Sequence, residues 1–122
     1  MIIDAELLPI KEAAKNGDPH AQLEMARVYL YGRGAPESIS MARRYYKMLA
    51  DHLPEEIDFI EYGALLMLIG NLAADEKNFK VANRWYEKSV RYIRENHTES
   101  YADKLIQDLG LEDIKVTEYV QQ

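Results

Sequence analysis

An all-α fold built from helical hairpins is what this sequence predicts. Helix-favouring Ala, Leu, Glu, Lys and Met are abundant, while only four prolines and six glycines interrupt the 122 residues. These breakers cut the chain into segments of helical length, and within the segments apolar residues recur at three- and four-residue spacing.

The first helix is expected from about Glu6 to Lys15, since Pro9 is tolerated only in a first turn and Asn16-Gly17 makes a good C-terminal stop. Asp18-Pro19 restarts the chain as cap and first helical residue, giving a helix to about Tyr31 with Leu23, Met25, Ala26, Tyr29 and Leu30 inward. Gly32-Arg33-Gly34-Ala35-Pro36 breaks it. A third helix starts near Ser38 or Ser40, carries Met41, Ala42, Tyr45, Tyr46 and Leu49 on one face, and ends near His52.

Pro54, followed by Glu55 and Glu56, suits the positive end of a helix dipole, so the next helix is expected to run from Pro54 to Asp75. Its run of Leu65, Leu66, Met67, Leu68, Ile69 and Leu72 predicts the most buried element of the fold. A helix over Phe79 to Glu95 follows, then one capped by Thr98 and stopped at Gly110; residues 111–122 are open between a short helix and a strand-like tail.

Composition restricts function. The formal net charge of −6 argues against generic affinity for nucleic acid or anionic membrane, which both require dense cations. With no cysteine, the sequence offers no disulfide, thiolate nucleophile or thiolate zinc site. The start lacks the basic and apolar regions of a signal peptide, and the most apolar stretch, Gly63 to Ala74, is shorter than the roughly 20 residues of a span, so the expectation is a cytoplasmic protein off the membrane.

An internal repeat organises these helices. Ala42-Arg43-Arg44-Tyr45-Tyr46-Lys47 aligns with Ala82-Asn83-Arg84-Trp85-Tyr86-Glu87, 40 positions on, sharing an alanine, an arginine and an aromatic pair. The small residue lets helices approach, and the aromatics fill the space between hairpins. The stretch Ala14-Lys15-Asn16-Gly17, Ala21, Met25-Ala26, Tyr29, Gly32-Arg33-Gly34-Ala35, Ala42, Tyr45-Tyr46 resembles a Sel-one-like repeat, a relative of the tetratricopeptide repeat. The second unit lacks the Gly-x-Gly loop and follows tetratricopeptide spacing through Leu66, Ile69-Gly70, Ala73, Ala82 and Tyr86, with Gly63 offering a rival register.

The resemblance implies a short α-solenoid: repeat one over about 14–50, repeat two over about 55–92, and a C-terminal cap over about 97–122, in one domain with about five to seven helices. It also implies a non-catalytic adaptor, scaffold or regulatory binding protein that holds a protein or peptide on its concave face. On that geometry Arg27 and Tyr31 from one unit meet Met67 and Asn71 from the next as the partner-binding patch.

Rival sites have bland explanations. His20, His52 and His97 stand in separate segments without a helical ligand at i+3 or i+4, so no metal or cofactor is expected. Gly32-Arg33-Gly34 lacks the Lys-Ser/Thr of a phosphate loop and reads as a turn. Acidic pairs such as Glu55-Glu56 suit helix ends better than acid–base catalysis, and an enzyme is not expected. Of the arginines at 27, 43, 44, 84, 91 and 94, most read as solvated helix faces, although arginine is also a common partner anchor. Two alternatives accompany the binding module: a homodimer formed through apolar repeat ends, and an immunity-like inhibitor of a partner enzyme.

Overall fold

The computed structural model describes residues 3–116, and within them every regular element is a helix. A 3-10 turn at Ala5–Leu7 leads into α1 (Leu8–Lys15), with Pro9 in its first turn. Then come α2 (Pro19–Tyr31), α3 (Ile39–Ala50), a second 3-10 turn (Pro54–Ile57), α4 (Tyr62–Asp75), α5 (Phe79–Asn96) and α6 (Glu99–Asp108). Residues 111–116 form neither helix nor strand; the rest of the tail expectation falls outside the described residues.

Caps fall where side chains can serve free amides. Asp18 accepts from the His20 and Ala21 amides, Ser38 from Met41, Asn78 from Val81 and Thr98 from Tyr101. Gly34 has a second reason to be glycine beyond its φ of 94°. A Cβ there would stand 2.6 Å from Leu7 Cδ1, at the point where the Asp4 amide donates to the Gly34 carbonyl and fastens the N-terminal segment to the loop.

The expected helix from Pro54 to Asp75 is two elements. Only Pro54–Ile57 winds as a 3-10 turn, and α4 starts at Tyr62, where the Glu61 carboxylate accepts the Gly63 amide at 2.6 Å. Tertiary contacts explain the break. Ile57 is fully buried and Phe59 stacks on His20 with centroids 4.0 Å apart. In a continuous helix these residues would point roughly 200° apart.

Packing runs between consecutive helices, most extensively α2 against α3 and α4 against α5, with α1 on α2, α3 on α4 and α6 on α5. The main core joins α1 to α4 around Met25, Tyr29, Leu49, Ile57, Leu65 and Ile69. A second cluster gathers Val90 and Ile93 with Ala102, Ile106 and Leu111. The expectation that the long apolar helix is the most buried element agrees with α4, which leaves only Asn71 and Asp75 exposed. The shorter α2, covered by α1 and α3, buries as many residues but leaves His20, Glu24, Arg27 and Tyr31 exposed, whereas Met67 and Leu68 of α4, which lies between α3 and α5, are half-buried.

One buried polar chain ties the first helices to the turn after α3. Gln22 Nε2 donates to the Ala14 carbonyl at 3.0 Å, which fixes the amide so that its oxygen faces His52 Nε2 at 2.9 Å. His52 must therefore donate, and its Nδ1 lies 3.6 Å from Glu56 Oε1. Gln22→Ala is expected to lower stability by about 1 to 2 kcal/mol, because it removes both hydrogen bonds of the buried amide and leaves His52 Nε2 without its acceptor, while the Ala14 carbonyl keeps the Gly17 amide at 3.1 Å. Chemical denaturation reads this, and an unchanged midpoint would mean that water replaces the amide at His52 without loss.

Candidate functional site

Most residues of the two aligned blocks lie in or beside the core. Ala26 and Ala42 are fully buried, Tyr29 and Tyr45 stack at 5.9 Å, and Tyr46 is buried beside them. Gly32 ends α2 in the left-handed conformation. On α4, Gly70 faces Tyr86 and the Ala82 carbonyl, and Gly63 faces Ile93 while its carbonyl accepts from Ser89 at 2.6 Å. Both rival glycines thus serve the α4/α5 contact, seven residues apart on one helix face. Trp85 and Tyr86 are only half-buried, unlike Tyr45 and Tyr46, and Lys88 Nζ sits 4.7 Å above the Trp85 ring.

The four residues of the expected patch do not all line one hollow. Arg27 and Tyr31 line a hollow of about 300 Å³ with Leu7, Glu24, Val28 and Arg33. There the Arg33 guanidinium lies over the Tyr31 ring at 5.2 Å. Burial raises the Tyr46 phenol above its ordinary pKa, and the nearby Arg27 guanidinium partly offsets it, so Arg27 is already engaged with its own chain. Met67 and Asn71 line no part of that hollow. Asn71 instead donates to Met67 sulfur at 3.3 Å and accepts from the Tyr86 hydroxyl at 2.7 Å. The strong contacts run from each helix to the next in sequence, α2 to α3 and α3 to α4.

A different surface has more of the features of a docking site. Because α1 and α3 both pack on α2, a groove remains between them. Its deeper part, about 550 Å³, is walled by Leu8 of α1 and by Met41, Tyr45 and Met48 of α3. Lys11 and Lys15 rim one side and Arg44 the other. An adjoining hollow of about 350 Å³ shares Met41, Arg44 and Met48 and extends to Lys47 and Asp51. Arg43 also lines it but is held by Glu76 at 2.9 Å. Burial pushes the Tyr45 phenol up, Tyr29 adds to the shift and Arg44 opposes it, so the groove presents a neutral hydroxyl at physiological pH.

Sequence reasoning passed over this groove because it assigned Met41 to the buried stripe and the arginines to solvated faces. A signal was present. Leu8, Lys11 and Lys15 on α1, and Met41, Arg44 and Met48 on α3, each fall at i, i+3 and i+7.

A further hollow, about 460 Å³, lies among Asp58, Phe59, Glu61, Tyr62, Tyr92 and Tyr101. Tyr62 is pinned by donating to the Ala50 carbonyl at 2.7 Å and tilts against Tyr92 at 4.8 Å. Burial raises both phenols, with Asp51 adding at Tyr62 and Glu61 at Tyr92. His97 leans on Tyr101, and its buried Nε2 lacks a hydrogen-bond partner, 3.5 Å from Glu61 Oε2.

Among the described residues no three His, Asp or Glu side chains are grouped to hold a metal ion, and no helix is long and apolar enough to cross a membrane. Comparisons with protein-family models, with curated proteins and with solved structures find no match.

Proposed function

We propose that this chain is a non-catalytic protein-interaction module, a short α-solenoid of the Sel-one-like, tetratricopeptide-type class. A segment of a partner protein docks in its α1/α3 groove. The observation that carries this reading is the groove itself: an apolar floor of Leu8, Met41 and Met48 under a cationic rim, on a chain whose net charge is −6. Methionines suit such a floor because their unbranched, polarisable side chains adapt to a guest. The stepwise packing of each helix on the next supports the solenoid part of the proposal. A cytoplasmic setting belongs to the same proposal, and regulation of a partner enzyme is one form the docking could take.

Affinity capture with tagged protein tests it. Wild-type and Tyr31→Ala protein are expected to retain the same stoichiometric partner, and Met48→Glu to lose it while far-UV circular dichroism stays unchanged. Loss with Arg27→Ala or Tyr31→Ala alone would move the site to the α2 hollow. A dimer by sedimentation, with no captured partner, would favour the homo-oligomer alternative.

A further inference from the structure

We infer that the α1/α3 groove accepts one face of an acidic amphipathic helix about three turns long; the inference rests on the docking reading above. The groove walls are helices, whose backbone amides and carbonyls are paired internally away from their ends. They offer an incoming chain no strand edge to bond. A peptide seated on the apolar floor must therefore satisfy its own backbone, and a helix does so.

Length follows from α3. From Ser40 to Asp51 the lining residues span roughly 16 Å, or three helical turns of a guest lying alongside. Leu8 is 51% exposed, so the floor is open to a guest's apolar stripe.

Charge sets the guest's polar flanks. Five cations, Lys11, Lys15, Arg43, Arg44 and Lys47, line the two hollows against two anions, Glu12 and Asp51. With Arg43 tied to Glu76, four cations still outnumber the two anions. This local excess runs against the net charge of −6, so it favours glutamate and aspartate beside the guest's apolar stripe and repels lysine there.

Three labelled peptides of about fifteen residues decide it by fluorescence anisotropy on the full chain. One has leucines at i, i+3, i+4 and i+7 with glutamates elsewhere, its twin has lysines in place of the glutamates, and the third is a scramble of the acidic one. The acidic amphipathic peptide should bind at least about tenfold more tightly than either control, with affinity falling between about 50 and 300 mM salt. The Arg44→Glu/Lys47→Glu variant, altered only at exposed side chains, should reverse the preference between acidic and basic peptides.

Equal or tighter binding of the basic peptide overturns the inference. So does equal binding of the scramble, which would reduce the effect to bulk charge, or the absence of binding by all three. In that last case a partner captured by wild type and lost with Met48→Glu would still uphold the docking reading. A chain that self-associates in competition with the peptide would assign the groove to a second copy and also overturn the inference.

Discussion

Replacing Tyr29 with alanine is expected to cost about 3 to 5 kcal/mol, the range for removing a large aromatic from a core. Tyr29 is 2% exposed and stacks on Tyr45 at 5.9 Å with an interplanar angle of 10°. Fully buried Ala26 and Ala42 lie on the same two helices, and neither has a side chain that reaches across to refill the space. The cavity therefore persists, and its walls lose contacts that water does not replace. A domain of this length holds about 5 to 15 kcal/mol in total, so the melting temperature should fall by roughly 10 to 20 °C. Tyr29→Phe keeps the ring and should stay within about 1.5 kcal/mol of wild type. Thermal unfolding followed by circular dichroism measures both. A Tyr29→Ala protein that melts within a few degrees of wild type would show that the α2/α3 layer is not the main source of stability.

Much of the fold was legible because its signals are local. Asp18, Ser38 and Thr98 cap helices through side-chain oxygens within three residues, and Gly17 and Gly110 stop helices in a conformation glycine adopts without strain. Lys77 ends α4 in that same conformation, at φ 65°, with the Asn78 amide donating to Ala73. Nothing in a lysine announces such a cap. The break before Tyr62 was hidden for a related reason: helix signals at Pro54, Glu55 and Glu56 are genuine, but the burial of Ile57 and the stacking of Phe59 on His20 overrule them from a distance.

The candidate docking surface was less legible than the fold. The expected patch followed from solenoid geometry, in which the first helix of each hairpin lines the concave surface. Here Arg27 lies near Tyr46 on the neighbouring α3, and Asn71 is held by Tyr86 on α5. Each side chain answers to its own hairpin. The α1/α3 groove instead arises from a three-helix relation in which two helices lean on a third and leave a gap, and no single-helix period reports such a relation.

The α4/α5 layer makes the other strong prediction. A Cβ at Gly70 would lie 2.7 Å from Tyr86 Cε1 and 3.1 Å from the Ala82 carbonyl oxygen. The ring can swing aside, but the carbonyl belongs to the α5 backbone, so a bulky side chain must push the helices apart. Gly70→Leu is expected to cost about 3 kcal/mol in overpacking, less about 0.8 kcal/mol regained from leaving glycine in a helix interior, a net loss of about 2 kcal/mol. Tyr86→Ala alone removes the ring and its 2.7 Å hydrogen bond to Asn71, and is also destabilising. In combination the alanine makes room for the leucine, so the double variant should be more stable than the sum of the single losses by at least about 1 kcal/mol. Denaturant unfolding of the four proteins gives the coupling directly. Strict additivity would mean that Gly70 and Tyr86 do not meet, and would leave the close approach of α4 and α5 to Gly63 and Ser89 alone.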